Sequence, residues 1–170
     1  MADPMIDVIV NAVAQISPEL ASALLASLPV TELRAALPIA LLVFKLDPVT
    51  AYVSTVLGNL VPILLVYIFL PPTMSFVLRY FPKINSRIEH HFEKLQKRYG
   101  DRYSKWGAFF LFLFVAIPLP GTGVWTGSVL AVLFKIKRTI AIPYIVLGLL
   151  VAGLLVLGIT QGVFQGIQLL

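Results

Sequence analysis

The chain carries the run Pro29-Val30-Thr31-Glu32-Leu33-Arg34-Ala35-Ala36-Leu37-Pro38 inside an apolar stretch that extends from Pro18 to Phe44. A second apolar stretch, Gly107 to Phe134, is interrupted by Pro118-Leu119-Pro120-Gly121-Thr122-Gly123-Val124-Trp125-Thr126-Gly127. Proline removes a backbone donor and glycine weakens a helix, so each stretch should form two half-helices with a bent join. A half of about 11 residues reaches only ~16 Å, roughly half of a ~30 Å hydrocarbon core. The two stretches therefore predict re-entrant hairpins, whose irregular joins are tolerated where protein or a water-filled cavity surrounds them.

The composition favours a membrane protein. Hydrophobic residues make up 59% of the 170 residues and charged residues only 12%, which is more apolar surface than a soluble chain of this length can hide. We expect a single membrane domain over residues 1–170. The absence of cysteine excludes disulfides and thiolate metal sites. The only histidines, His90 and His91, are adjacent and point to different helix faces, so we expect no metal site and no cofactor.

The interruptions divide this domain into segments. Residues 1–17 predict a short interfacial helix, too short to span a bilayer. Residues 18–70 form a first repeat, a hairpin followed by a full span over 49–70 that Pro71-Pro72 ends. Residues 107–161 form a second repeat, whose full span starts at Thr139. An extra crossing that includes residues 74–80 stays open, and it would overturn the topology given below.

Residues 71–106 predict a linker with a basic amphipathic helix. Apolar residues recur every three or four positions from Ile84 to Trp106, and the other faces are charged. Arg79 to Lys105 contains eight basic and three acidic residues, a net charge of +5. Such a helix favours an anionic membrane surface, and the alternative is a solvated helix packed on its own bundle. We expect no nucleic-acid binding.

The two halves repeat at a spacing of 90 residues: Phe44-Lys45 recurs as Phe134-Lys135, and Gly58 as Gly148. A re-entrant hairpin leaves on the side where it entered and the next span crosses, so the second copy must be inverted. The positive-inside rule places the linker, residues 79–105, in the cytoplasm. The prediction is an all-α integral protein of the cytoplasmic membrane, an inverted repeat of re-entrant hairpin plus transmembrane helix, with the amphipathic helix between the halves.

Glu32 and Arg34, at the first join, are the candidate site. An ionisable group near the bilayer centre costs ~2.5–3.5 kcal/mol and is therefore functional or paired. Glu32 suits binding of a proton or cation, because desolvation favours the protonated carboxyl. Arg34 suits an anionic head group such as a phosphate, which its planar fork can hold. The alternative is a mutual ion pair that only fixes the join.

The second join offers a different chemistry. Gly121, Thr122 and Gly123 present backbone amides at the start of a helix, beside the hydroxyls of Thr122 and Thr126, an arrangement that suits an anion and would complete the site. The alternative is that these glycines, with Gly127, serve close helix packing.

Five further residues complete the candidate set. Trp125 suits stacking on a substrate or anchoring at the membrane interface. Asn59, in the first span, reaches the site or hydrogen-bonds to a neighbouring helix. Pro38, Pro118 and Pro120 are the remaining breakers of the two joins.

Three motifs resemble those of the small multidrug export protein family: Glu32-Leu33-Arg34-Ala35-Ala36-Leu37-Pro38, Gly58-Asn59, and the run from Ala116 to Ser128. The resemblance covers roughly Val30 to Thr160. That family is in turn similar to the DedA and VTT-domain membrane proteins, and this implies two inverted re-entrant hairpins. Some DedA relatives are linked to flipping of polyprenyl-phosphate or phospholipid carriers and to proton coupling.

Residues and resemblance together predict a transporter for an amphipathic, lipid-like or drug-like substrate, with proton coupling at Glu32. The expected partners are membrane lipids and a small substrate, and assembly into a homo-oligomer stays open. The alternative function is a non-transporting membrane scaffold. No Ser-His-Asp set, metal cluster or phosphate loop is recognisable, so we expect neither enzymatic activity nor catalytic residues.

Overall fold

A computed structural model describes residues 16–80, 106–119 and 121–168. Within these ranges the chain forms α-helices and no strand: α1 Pro18–Ser27, α2 Glu32–Leu42, α3 Pro48–Tyr80, α4 Trp106–Ala116, α5 Val124–Leu133 and α6 Arg138–Gln168. The all-helical prediction is confirmed for this part of the chain. The predicted interfacial helix (except residues 16 and 17), the amphipathic helix and both histidines lie outside the described residues.

Both apolar stretches are broken where the sequence predicts. α1 ends at Ser27 and α2 begins at Glu32, while α4 ends at Ala116 and α5 begins at Val124. Each of these helices has only ten or eleven residues. None is long enough to cross a ~30 Å core alone.

α3 and α6 contain the two segments long and apolar enough to cross a membrane. The segments are Pro48–Met74, with 27 residues, and Arg138–Val163, with 26 residues, about 40 Å each. The prediction that Pro71-Pro72 ends the first span is wrong, because α3 continues to Tyr80 with both prolines inside. The fixed φ of proline suits a helix, so the prolines remove two hydrogen-bond donors without forcing the helix to end. Residues 74–80 continue α3.

The described residues divide into two compact units. The first comprises 16–59 and 153–168, and in it α1 packs against α2. Gly58 of α3 lies against α1, where a Cβ would lie 2.0 Å from the carbonyl oxygen of Ala23. A Cβ at Gly153 of α6 would lie 2.7 Å from the ring of Tyr52 in α3. The start of α3 and the later part of α6 are therefore neighbours.

The second unit comprises the described residues between 60 and 152. Gly148 of α6 lies against α4, where a Cβ would lie 2.8 Å from the carbonyl oxygen of Phe112. Gly127 of α5 lies against the same helix, where a Cβ would lie 2.7 Å from the side chain of Val115. Within this unit, α4 is thus in close contact with both α5 and α6.

Burial repeats along the two long helices. Residues 51–70 and 141–160, which are 90 positions apart, share their state (buried, half-buried or exposed) at 19 of 20 positions. The exception is Val56, which is buried where Val146 is half-buried. Lys45 and Lys135 have the same spacing, and both have a positive φ, 54° and 51°. The two halves therefore correspond in amino-acid sequence, in burial and in backbone conformation.

Candidate functional site

Glu32, the first residue of α2, has an uncommon backbone conformation at the first join. Its φ of 45° lies in the left-handed region that favours glycine, and its N–H donates to the Leu28 carbonyl at 3.0 Å. Arg34 follows within the same turn, and the Glu32 carboxylate interacts electrostatically with its guanidinium. Both side chains are half-buried. The structure thus brings together the two ionisable residues that the sequence singles out.

Thr31 fastens this join to α1. Its hydroxyl donates to the Leu25 carbonyl near the end of α1, which also accepts the N–H of Leu28 at 3.3 Å. Val30, next to it, is 93% exposed, so the tip of the join is open on one side. Thr31 is not among the candidate site residues predicted from the sequence, although a hydroxyl directly after a helix break is a recognisable capping signal.

Thr122 makes comparable hydrogen bonds at the second join. Its hydroxyl donates to the carbonyls of Ile117 and Leu119, each at 2.9 Å, and accepts from the Leu119 N–H at 3.3 Å. The hydroxyl therefore closes the end of α4, as that of Thr31 closes the end of α1. A contact between Thr122 and a substrate stays a prediction.

The remaining residues of the second join differ in their surroundings. Gly121 has φ 80° and no described atom within 4 Å of its Cβ position, so a glycine is required there by conformation and not by space. Gly123 is buried and precedes α5 without a side-chain cap. Thr126 is half-buried. Gly127 makes the close contact with α4 described above, which favours the packing alternative for this residue.

Trp125 lies at an apolar groove within the second unit. The groove has a volume of about 380 Å³, and the other side chains along it belong to α3 and α5: Leu65, Val66, Phe69, Leu70, Thr73 and Val129. Thr73 uses its hydroxyl to donate to the Phe69 carbonyl at 2.7 Å. An apolar chain or ring is therefore the kind of group that suits this groove.

The Asn59 side chain is buried in α3. It is 1% exposed, and its Oδ1 has no partner among the described residues. Pro62 lies one turn later and provides no N–H for the carbonyl of Gly58. An unsatisfied buried polar group costs about 1–3 kcal/mol. Two buried hydroxyls in the second unit, those of Tyr67 and Ser128, likewise have no hydrogen-bond partner among the described residues, and neither is among the candidates predicted from the sequence.

The prolines of the candidate set have separate positions. Pro38 does not break a helix as expected, because it lies inside α2, where it offers no N–H to the Arg34 carbonyl. Pro118 follows the end of α4, and Pro120 lies outside the described residues. Within the described ranges, no group of three or more His, Cys, Asp or Glu side chains is placed to hold a metal ion.

Residues 32–155 match the family model described as "Putative small multi-drug export protein". The chain belongs to this family. The matched region begins at Glu32, directly after the first join, and contains α2, the second join and both long helices up to residue 155. No curated protein and no solved structure matches the chain. Family membership and the two helices long and apolar enough to cross a membrane both indicate a membrane location. The similarity to DedA and VTT-domain proteins stays a prediction.

Proposed function

We propose that the chain is a transporter of the cell membrane that moves an amphipathic, drug-like or lipid-like substrate across the bilayer. Glu32 binds the coupling proton and Arg34 binds an anionic group of the substrate. The observation that carries this proposal is the left-handed conformation of Glu32, which costs ~1–2 kcal/mol for a residue with a Cβ. The second join has a glycine, Gly121, in this conformation. Strain of this kind is retained where it serves a function.

The proposal includes re-entrant hairpins and an inverted repeat. Three observations support it: the half-length helices, the burial that repeats at a spacing of 90 residues, and the contact between Tyr52 and Gly153. That contact joins the start of one span to the later part of the other, as expected for spans that cross in opposite directions. The linker, residues 79–105, then faces the cytoplasm together with the basic turn from Lys135 to Arg138.

A non-transporting scaffold is the second candidate. The electrostatic interaction between Glu32 and Arg34 favours it, because an ion pair can serve only to fix the join. The capping role of the Thr122 hydroxyl favours it as well. Only a flux measurement on defined variants separates the two candidates.

The test is transport into liposomes that contain the purified protein, with a panel of labelled lipids and drug-like ions and an imposed pH gradient. For the wild-type protein, flux of the best substrate should depend on the gradient. Glu32→Gln should flatten this dependence, and Arg34→Met should reduce flux of anionic substrates more than that of cationic ones. Glu19→Gln, which changes an exposed acid in the first turn of α1, is the matched control and should leave both properties intact. An unchanged pH profile in Glu32→Gln would contradict proton coupling at this residue.

A further inference from the structure

A second groove, within the first unit, lies where a membrane surface is expected. Its volume is about 280 Å³, and its lining combines four apolar side chains, Leu41, Leu42, Leu46 and Pro48, with three polar ones, Lys45, Thr160 and Gln161. Lys45 immediately precedes the region where the first span begins, at Pro48, and Gln161 lies close to the end of the second span, at Val163. The groove therefore lies at the ends of both candidate spans, where the hydrocarbon core meets the lipid head groups.

Lys45 occupies a position that glycine normally fills. Its φ of 54° is left-handed, and it follows the end of α2, where the Leu46 N–H donates to the Ala40 carbonyl at 3.0 Å. Helix ends of this type usually carry glycine or asparagine at the left-handed residue. A lysine there destabilises the chain relative to glycine. The Lys45 ammonium has no hydrogen bond or ion pair with the other described residues, so nothing within this part of the chain offsets the strain.

The charges around this groove favour an anion. Asp47 is the nearest acid in the sequence, and its Oδ1 accepts the N–H groups of Val49 and Thr50, each at 3.1 Å. These hydrogen bonds and the positive end of the α3 dipole offset part of its negative charge. The Thr160 hydroxyl donates to the Val156 carbonyl at 2.8 Å. The Lys45 ammonium and the exposed carboxamide of Gln161 are thus the two donors available to a ligand in the groove.

We propose that this groove binds one anionic glycerophospholipid. The lipid phosphate lies at Lys45 and Gln161, and the start of an acyl chain lies along Leu42, Leu46 and Pro48. A basic side chain at the membrane surface attracts an anionic head group, and the apolar side chains gain by burial against the acyl chain. This site is distinct from Glu32 and Arg34 and does not depend on the proposed transport.

Lys135 provides a matched control. It has the same left-handed conformation, with φ 51°, at the equivalent position 90 residues later. Thr160 and Gln161, however, have Leu70 and Pro71 as their counterparts 90 residues earlier, and these offer no polar side chain. Glycine at either lysine should relieve strain, but only the change at Lys45 should remove a lipid site.

The test compares melting temperatures of the purified protein in nanodiscs of phosphatidylcholine with and without phosphatidylglycerol. Phosphatidylglycerol should raise the melting temperature of the wild-type protein. Lys45→Gly should melt at a higher temperature than the wild type in pure phosphatidylcholine, because backbone strain is lost. Phosphatidylglycerol should raise the melting temperature of this variant clearly less than that of the wild type. Titration of single lipids, followed by native mass spectrometry, should show about a fivefold loss of affinity for phosphatidylglycerol. Lys45→Asn, which tolerates the same backbone conformation, is the second variant.

Lys135→Gly should also melt higher in phosphatidylcholine but keep the full gain from phosphatidylglycerol. The proposal is overturned if Lys45→Gly and Lys45→Asn keep the wild-type gain, or if Lys135→Gly loses it to the same extent. It is equally overturned if inorganic phosphate or soluble glycerophosphoglycerol reproduces the gain in detergent, since a free anion would then suffice.

Discussion

Gly58 of α3 lies so close to Ala23 of α1 that a Cβ at position 58 would lie 2.0 Å from the Ala23 carbonyl oxygen. The obstructing atoms belong to a backbone, which cannot move aside as a flexible side chain can. We therefore expect Gly58→Ala to force α1 away from α3 and to destabilise the protein by at least the ~1–3 kcal/mol typical of overpacking. The melting temperature of the purified protein in detergent measures this effect.

Two other glycines sharpen this prediction. Gly148→Ala should act in the same direction, because a Cβ there would lie 2.8 Å from the Phe112 carbonyl oxygen. Gly158→Ala should instead stabilise α6 by about 1 kcal/mol, since no described atom lies within 4 Å of its Cβ position. Equal melting temperatures for the variants at positions 58 and 158 would contradict the close contact with α1.

A double-mutant cycle at Glu32 and Arg34 separates a structural pair from a functional one. If the pair is structural, Glu32→Gln or Arg34→Met alone should destabilise, because one charge loses its partner, and the double variant should recover most of the loss. Removing one partner of a fully buried ion pair costs ~3–5 kcal/mol of stability. Since both side chains are half-buried, each single substitution should destabilise the protein by less than this. If the pair is functional, the double variant should fold and insert but lose transport. If the double variant kept full stability and full flux, Glu32 and Arg34 would serve only packing.

We expect the buried amide of Asn59 to lower the stability of the protein and to serve its function. Asn59→Leu keeps the branched shape and removes a buried amide that has no hydrogen bond among the described residues, so a gain of up to about 1–3 kcal/mol in the free energy of unfolding is expected. If the amide contacts the substrate, flux falls as stability rises. Thr55→Val is the control, because this buried hydroxyl already donates to the Ala51 carbonyl at 2.7 Å, and its removal should bring no gain. A loss of stability in both Asn59→Leu and Asn59→Ala would argue that the amide has a structural partner.

Asp47 should make the start of α3 sensitive to acid. Hydrogen bonds from the Thr50 hydroxyl and from the N–H groups of Thr50 and Val49 hold the pKa of this carboxyl below its ordinary value. Because the folded pKa is lower than the unfolded one, this stabilisation is complete above the ordinary pKa of about 4 and is lost as the pH falls through the folded pKa. Asp47→Ala should melt lower than the wild type at neutral pH and lose less on acidification. If the melting temperatures of the two proteins fell by the same amount between pH 7 and pH 3, this would contradict the hydrogen-bonded cap that Asp47 forms at the start of α3.

Single cysteines test the topology. The start of α3 and the later part of α6 are neighbours through Tyr52 and Gly153, so Val43→Cys and Gln161→Cys should react with an impermeant reagent from the same side of the membrane. Thr139→Cys, at the other end of α6, should react only from the cytoplasmic side. Labelling of Val43→Cys and Gln161→Cys from opposite faces would reject the inverted repeat.

The sequence located the helix breaks because proline and glycine act locally. The same rule failed at Pro71 and Pro72, since a local breaker does not decide whether a helix in an apolar surrounding ends or continues. Glu32 and Arg34 were identifiable because charge is rare in such a stretch. The left-handed backbone of Lys45 could not be identified from the sequence. That conformation is typical of glycine, and at a lysine it depends on how the helix end closes. The unsatisfied amide of Asn59 likewise depends on its neighbours in space.

The first unit combines residues 16–59 with residues 153–168, and this has a consequence for biosynthesis. When the ribosome has released the chain through α3, the ring of Tyr52 and the side chain of Leu33 still lack their cover, because Gly153 of α6 lies against both. The early helices must therefore remain incomplete while a further 73 residues, 81–153, are translated. Lipid or the insertion machinery must shield that surface until the final helix arrives.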